Sequence, residues 1–202
     1  MRFAKKFGYQ IKLLAFAKLE KSLVEVSVEP TLIPVELLMA NVDGPMNAVS
    51  VEGNFVGHTL YYGQGAGSHP TASAVVADII EACGTISTFN GMQLVKTNPE
   101  ISDHPDYELM KKEDVVSGHY MRLEVSDKSG VLSEITGILA SQNVSVDRFF
   151  QEKSEDSNTK NAEIILLTHT CTYGKIVEVI DMLINLENVK GKPVVFRVEE
   201  KA

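Results

Sequence analysis

The sequence has no tryptophan and only two cysteines in 202 residues. Cys83 and Cys171 stand far apart in apolar surroundings, which excludes a disulfide framework or a cysteine-rich metal knuckle and predicts two buried thiols in a reducing compartment. Basic residues are also scarce: 19 Lys plus Arg against 27 Asp plus Glu give a formal net charge of -8. No broad basic surface is therefore available for a nucleic-acid backbone. No apolar run reaches the roughly 18 residues that span a bilayer, and Met1 to Lys6 lacks the apolar core of a signal peptide. A cytoplasmic protein is expected, with neither nucleic acid nor membrane as partner. His58, His69, His104, His119 and His169 show no H-x-x-x-H or Cys-His spacing, so no metal site is implied. No nucleophile-base pair is recognisable either.

What is present is ordinary globular composition, 44% hydrophobic and 23% charged, in a chain long enough for two small domains. Ile11 to Leu19 and Leu23 to Val28 read as a β-hairpin broken at Glu20 to Ser22. Lys12 lies inside the first of these strands; facing outward it is solvated, facing inward it would hold a phosphate or carboxylate. Pro30 and Pro34 bracket Thr31 to Ile33, and two prolines at that spacing argue against one central strand and for a turn or irregular segment. Asn47 to Val51 and Asn54 to Tyr62 are further strands about the turn formers Glu52-Gly53-Asn54. Pro70 to Cys83 reads as an alanine-rich helix with Pro70 in its first turn.

Periodicity fades from Gly84 to Gly118, where Lys96 to Pro99 and Ser102 to Asp106 cluster turn formers, the signature of a linker. Beyond it the order is strand (Met121 to Val125), helix (from Val131, with Ile135, Ile138 and Leu139 at helical spacing), strand (Val144 to Lys153), strand (Ala162 to Thr170), helix (Tyr173 to Leu186) and strand (Val194 to Val198). This is the βαββαβ, ferredoxin-like plan, with both helices on one sheet face and the other face or an edge left for a partner. The fold class is α+β.

Two turns are chemically suggestive. Gly63, Gly65 and Gly67 precede a helix whose N-terminal N–H groups would suit an anion, but the spacing is not G-x-G-x-x-G and tight-turn geometry is the commoner reason for such glycines. Asp127 and Gly130 bracket the start of a second helix, and Asn143 precedes the following strand; capping and ligand approach are both open there.

The segments Gly8 to Leu14, Pro30-Thr31-Leu32-Ile33-Pro34, Ala40-Asn41-Val42-Asp43-Gly44, Val51-Glu52-Gly53 and Tyr62-Gly63-Gln64-Gly65-Ala66-Gly67 through Asp78 resemble bacterial homoserine dehydrogenase. The likeness is dense from about residue 2 to 83. Asp127-Lys128-Ser129-Gly130-Val131-Leu132 with Asn143-Val144-Ser145 resembles the ACT domain, a small amino-acid-binding regulatory module, with Ser129 where the family usually has proline. The resemblance implies a mixed-sheet substrate and dimerisation domain portion over residues 1–92, a linker over 93–117 and an ACT regulatory domain over 118–202. It also implies an NAD- or NADP-dependent oxidoreductase that interconverts aspartate semialdehyde and homoserine in threonine and methionine biosynthesis.

By the same resemblance the chain is a C-terminal portion, without the family's Rossmann domain and its catalytic Lys/Asp segment, and inactive by itself. No catalytic residue is carried over. Gly65, Ala66, Gly67, Pro70 and Thr71 become the cofactor-facing turn, and Asp127, Gly130, Val131 and Asn143 the regulatory-ligand turn, with threonine as effector and a homodimer as assembly. The other class consistent with these residues is a non-catalytic amino-acid-sensing or dimerisation protein on the same scaffold.

Overall fold

A computed structural model describes residues 2–88, 107–153 and 160–199. In chain order the elements are α1 (Arg2–Lys6), β1 (Tyr9–Glu20), β2 (Leu23–Pro34), β3 (Met46–Gly53), β4 (Gly57–Gln64), α2 (Ser68–Thr88), β5 (Glu108–Leu109) and β6 (Val116–Ser126). There follow α3 (Val131–Ser141), β7 (Val146–Lys153), β8 (Asn161–Thr168), β9 (Cys171–Thr172), α4 (Tyr173–Ile184) and β10 (Val189–Val198). They form two compact units, residues 1–40 with 107–202 and residues 41–106.

The first unit is built on one sheet in the order β1-β2-β10-β6-β8-β7, with β5 on β2 and β9 on β6. Strands β10-β6-β8-β7 with α3 and α4 are the expected βαββαβ module. Odd-numbered β6 residues Met121, Leu123 and Val125 pack with Ile164 and Leu166 against Ile135 and Leu139 of α3 and Ile176, Val179 and Leu183 of α4. Each such buried Leu, Ile or Val contributes about 1.5–3 kcal/mol of transfer free energy. Both helices thus lie on one sheet face.

The opposite face is covered by the chain itself rather than left open. Phe3 and Ala4 of α1, with Tyr9 and Leu32, pack on Tyr120, Ile165, Leu167 and Val198. Lys6 reaches Glu152 of β7 at 3.2 Å, and the Arg148 guanidinium donates to the Phe7 carbonyl at 3.0 Å. The β10 edge is occupied as well. Strand β2 joins it in parallel, Thr31 opposite Arg197 and Leu32 opposite Val198.

This junction explains why the prolines do not break β2. The full antiparallel ladder with β1 runs from Glu20↔Leu23 to Tyr9↔Pro34. The carbonyls of Ser22, Val24 and Leu32 accept bonds from Glu108, Met110 and Glu199, so even-numbered residues turn their backbone groups away from β1. Pro30 and Pro34 share that parity, and the parallel bridge to β10 covers only Thr31 and Leu32. Their missing N–H groups fall where no partner strand runs. The expected irregular segment is instead a continuous strand.

In the second unit β3 and β4 form a hairpin with Met46 opposite Gln64 and Gly53 opposite Gly57. The turn lies at 54–56, later than the expected Glu52-Gly53-Asn54, because Gly57 takes the left-handed φ of 73° that closes it. Helix α2 extends beyond the expected Pro70 to Cys83 at both ends. Its Val75, Val76, Ile79 and Ile80 are exposed. Cys83 is exposed with them while Cys171 is buried, so only one of the two thiols is enclosed as expected. The expected division at residues 92 and 93 lies outside the described residues, and of the 93–117 linker residues 107–117 are described. They contribute β5 and the start of β6 to the first unit.

Candidate functional site

The glycine turn of the second unit sits between β4 and α2. The N–H groups of Gly65 and Ala66 donate to the Pro45 carbonyl at 3.2 and 3.4 Å, and Thr71 N–H donates to the Gly67 carbonyl at 3.1 Å, opening the helix. A Cβ on Gly65 would overlap the Asn47 side-chain amide, and Gly67 has φ 125° with Pro70 Cδ 3.4 Å from any added Cβ. Both glycines therefore have reasons inside the chain. The turn is also exposed, free of side-chain bulk at Gly65 and Gly67, and placed at the N-terminus of a 21-residue helix. Those properties fit the phosphate or ring edge of a nucleotide cofactor. Pro70 and Thr71 lie in the first turn of α2 and belong to the same constellation.

At the second predicted turn, Gly130 is the N-cap of α3 with φ 94° and no side-chain cap. Asp127 therefore does not cap the helix; its N–H donates to the Lys160 carbonyl at 2.9 Å and its side chain is exposed. Val131 is buried in the core beneath. Asn143, at φ 53°, closes the other end of α3. Its N–H donates to Ala140 at 3.0 Å and that of Val144 to Leu139 at 2.9 Å. This is the Schellman pattern, with Val144 packed into the core beside Leu139. Gly130 and Asn143 both hold left-handed backbone at the two ends of one helix.

Sequence reading missed a third cluster, at the junction of β2 and β10. Arg197, 4% exposed, pairs with Glu25, with Glu29 at 3.4 Å and with Glu199 at 3.1 Å, and its guanidinium stacks over Phe16 at 4.2 Å. Lys18 binds Glu199 at 2.5 Å. Burial opposes the Glu199 charge, but the hydrogen bonds and charges of Lys18 and Arg197 hold its carboxyl below the usual carboxylate range. Burial likewise works against the Arg197 cation, and Glu25 and Glu199 outweigh it, raising its pKa. Lys18 is a strand lysine of this network; Lys12 is half-buried opposite Thr31.

Beside this network, His119 of β6 is 2% exposed. Its Nε2 faces Ser117 Oγ at 3.3 Å and its Nδ1 faces Cys171 Sγ at 3.7 Å. Burial, aided by the Arg197 charge, lowers its pKa to about 4, so the ring is neutral at physiological pH. Burial raises the Cys171 thiol, which excludes a thiolate nucleophile there. The sequence signal for the cluster was a single charge in the apolar run Val194-Val195-Phe196-Arg197-Val198. Among the described residues no group of three or more His, Cys, Asp or Glu is placed to hold a metal ion. No helix among them is long and apolar enough to cross a membrane.

The architecture defines a two-part protein, a ferredoxin-like βαββαβ module whose edge carries a β-hairpin from the first part of the chain. Residues 1–80 match the family model for homoserine dehydrogenase, and residues 119–187 match that for the ACT domain. Residues 1–80 are thus similar to homoserine dehydrogenases, and residues 119–187 to ACT domains. The homoserine dehydrogenase of Helicobacter pylori is 41% identical over 200 residues, covering 98% of this chain and 45% of that protein. That of Bacillus subtilis is 32% identical, covering 98% and 44%. Among solved structures, a homoserine dehydrogenase from Thiobacillus denitrificans superposes with a TM-score of 0.83 at 38% identity, over 98% of this chain and 44% of that one. The chain spans about 45% of the length of the curated relatives it matches.

Proposed function

We propose that the chain serves an NAD(P)-dependent homoserine dehydrogenase, interconverting aspartate semialdehyde and homoserine, and that it makes this activity responsive to an amino acid. The nicotinamide cofactor supplies the hydride acceptor. In this reading Gly65, Ala66, Gly67, Pro70 and Thr71 face the cofactor, and the described residues contribute no proton relay of their own. Residues 1–92 act as the substrate and dimerisation portion, 93–117 as the linker and 118–202 as the regulatory domain. The effector, with threonine the first candidate, is held at the turn of Asp127, Gly130, Val131 and Asn143, where free helix N–H groups suit its carboxylate. Two copies of the chain meet there as a homodimer.

The observation that carries this reading is the parallel pairing of Thr31 and Leu32 with Arg197 and Val198. It makes the dehydrogenase hairpin and the last ACT strand one sheet, so a ligand that biases the ACT strands also loads the hairpin. The test is a chimera in which this chain replaces the matching segment of the Helicobacter pylori relative. Homoserine-dependent reduction of NAD or NADP is expected, with inhibition by threonine. A folded chimera that binds neither cofactor nor homoserine would overturn the assignment.

A further inference from the structure

On the helix-bearing side of the β2–β10 junction lies a cavity of about 460 Å³, within the size range of small-molecule sites. Its wall runs from β2 through Met110 and Lys112 to Ser117, His119, the start of α4 at Tyr173, and β10. It is distinct from the glycine turn and from the Asp127 turn, none of whose residues line it.

Among the described residues, two buried polar atoms in this wall have no hydrogen-bond partner, Arg197 Nε and Ser27 Oγ. Buried polar groups are nearly always satisfied, and each exception left empty costs free energy. The wall carries two carboxylates, Glu25 and Glu29, and two cations, Arg197 and Lys112, so charges of both signs face the cavity. Glu29 is the most loosely held of the carboxylates paired with Arg197, 3.4 Å from it with 30% of its side chain exposed. Lys112 lies over the Tyr173 ring at 4.7 Å, and Met110 and Val195 give the wall an apolar stretch.

We propose that this cavity is an amino-acid site, taking a free α-amino acid with a short side chain. The ligand's ammonium group sits at Glu29 and the Ser27 hydroxyl. Its carboxylate accepts from Arg197 Nε and from Lys112, and its side chain lies against Met110 and Val195. A zwitterion of this size brings both charges at once, where a simple anion would face the carboxylates of Glu25 and Glu29 and a simple cation would leave Arg197 Nε unpaired. Because β2 and β10 form the floor, occupancy bears directly on the joint between the hairpin and the ACT strands. The inference shares the amino-acid responsiveness of the reading above but assigns it to other residues.

The test is calorimetric titration of the chain with L-threonine, L-serine and L-methionine, and with N-acetyl-L-threonine and L-threoninol as probes lacking one charge. Ser27→Leu fills the cavity and removes an unpaired hydroxyl, so it should fold at least as well as the parent. Glu29→Gln leaves Arg197 its bonds to Glu25 and Glu199. Binding of at least one free amino acid, weakened about tenfold or more by each variant and absent for both single-charge probes, is the expected result. An Asp127→Ala chain should then still bind in the cavity. Binding weakened by Asp127→Ala and untouched by Ser27→Leu and Glu29→Gln would overturn the cavity site while leaving the Asp127 turn as the effector site. The converse pattern would remove the Asp127 turn, and no binding of any amino acid to the folded chain would remove both.

Discussion

Arg197 and Glu25, 172 residues apart in sequence, form a buried ion pair that fastens the last ACT strand to the hairpin of the dehydrogenase segment. The pair is held in place by surrounding groups: Phe16 beneath the guanidinium, Glu29 sharing Nη1 with Glu25, and Glu199 on Nη2. Removing one partner of such a pair strands the other charge in a low-dielectric site, whereas replacing both with apolar groups removes the desolvation cost too. Arg197→Met is therefore expected to destabilise the chain by about 3–5 kcal/mol in urea unfolding. The double variant Arg197→Met with Glu25→Leu should recover part of that loss. A single variant as stable as the parent would show that the junction does not depend on the pair.

His119 supplies a pH dependence whose sign follows from its environment. Its ordinary pKa of 6.5 falls to about 4 in the folded chain, because burial and the Arg197 charge disfavour the imidazolium. The unfolded chain then binds more protons than the folded chain between these values, so stability is full above pH 6.5 and declines as pH falls toward 4. At about 1.4 kcal/mol per pH unit the loss over that window is about 3 kcal/mol. His119→Gln stays neutral and keeps hydrogen-bonding capacity toward Ser117 and Cys171. Its unfolding free energy should fall less steeply between pH 6.5 and 4 than the parent's; parallel curves would mean that His119 is not the titrating group.

Asn143 separates helix termination from ligand contact. At φ 53° a β-branched residue is strained by roughly 1–2 kcal/mol, while glycine is at ease. Asn143→Val should lower the melting temperature and Asn143→Gly should hold or raise it. If Asn143→Gly also leaves amino-acid binding unchanged, the Asn143 side chain has no part in the regulatory turn.

The elements that could be read from the sequence are those whose signal is local. The alternation of Met121, Leu123 and Val125 in β6 and the helical spacing of Val131, Ile135 and Leu139 reflect one buried face each, and the structure buries those faces. What could not be read was sheet-edge pairing. Nothing in the spacing of Pro30 and Pro34 shows that their N–H positions face a side with no partner strand, since that depends on β10, over 150 residues later. The burial of His119 could not be read either, because the turn formers before it dominate the local pattern, whereas Cys171 and Tyr173 reach it across the fold. Arg197 was visible only as one charge in an apolar strand. Such a residue has either water or a partner, and the partners Glu25 and Glu29 lie on a distant hairpin.

Gly67 decides whether the glycine turn is more than a turn. Its φ of 125° strains any L side chain, and Pro70 stands 3.4 Å from an added Cβ, so Gly67→Ala should cost about 1–3 kcal/mol of stability whatever the turn does. A cofactor lying against the turn adds a second penalty that stability does not report. In the chimeric dehydrogenase, Gly67→Ala should raise the KM for the nicotinamide cofactor while the KM for homoserine changes little, because the added methyl occupies cofactor space. The comparison is Gly63→Ala, where an added Cβ meets nothing within 4 Å and both constants should stay near the parent's. Equal KM values for the cofactor in a folded Gly67→Ala enzyme would confine the glycine to backbone geometry and remove the cofactor from this turn.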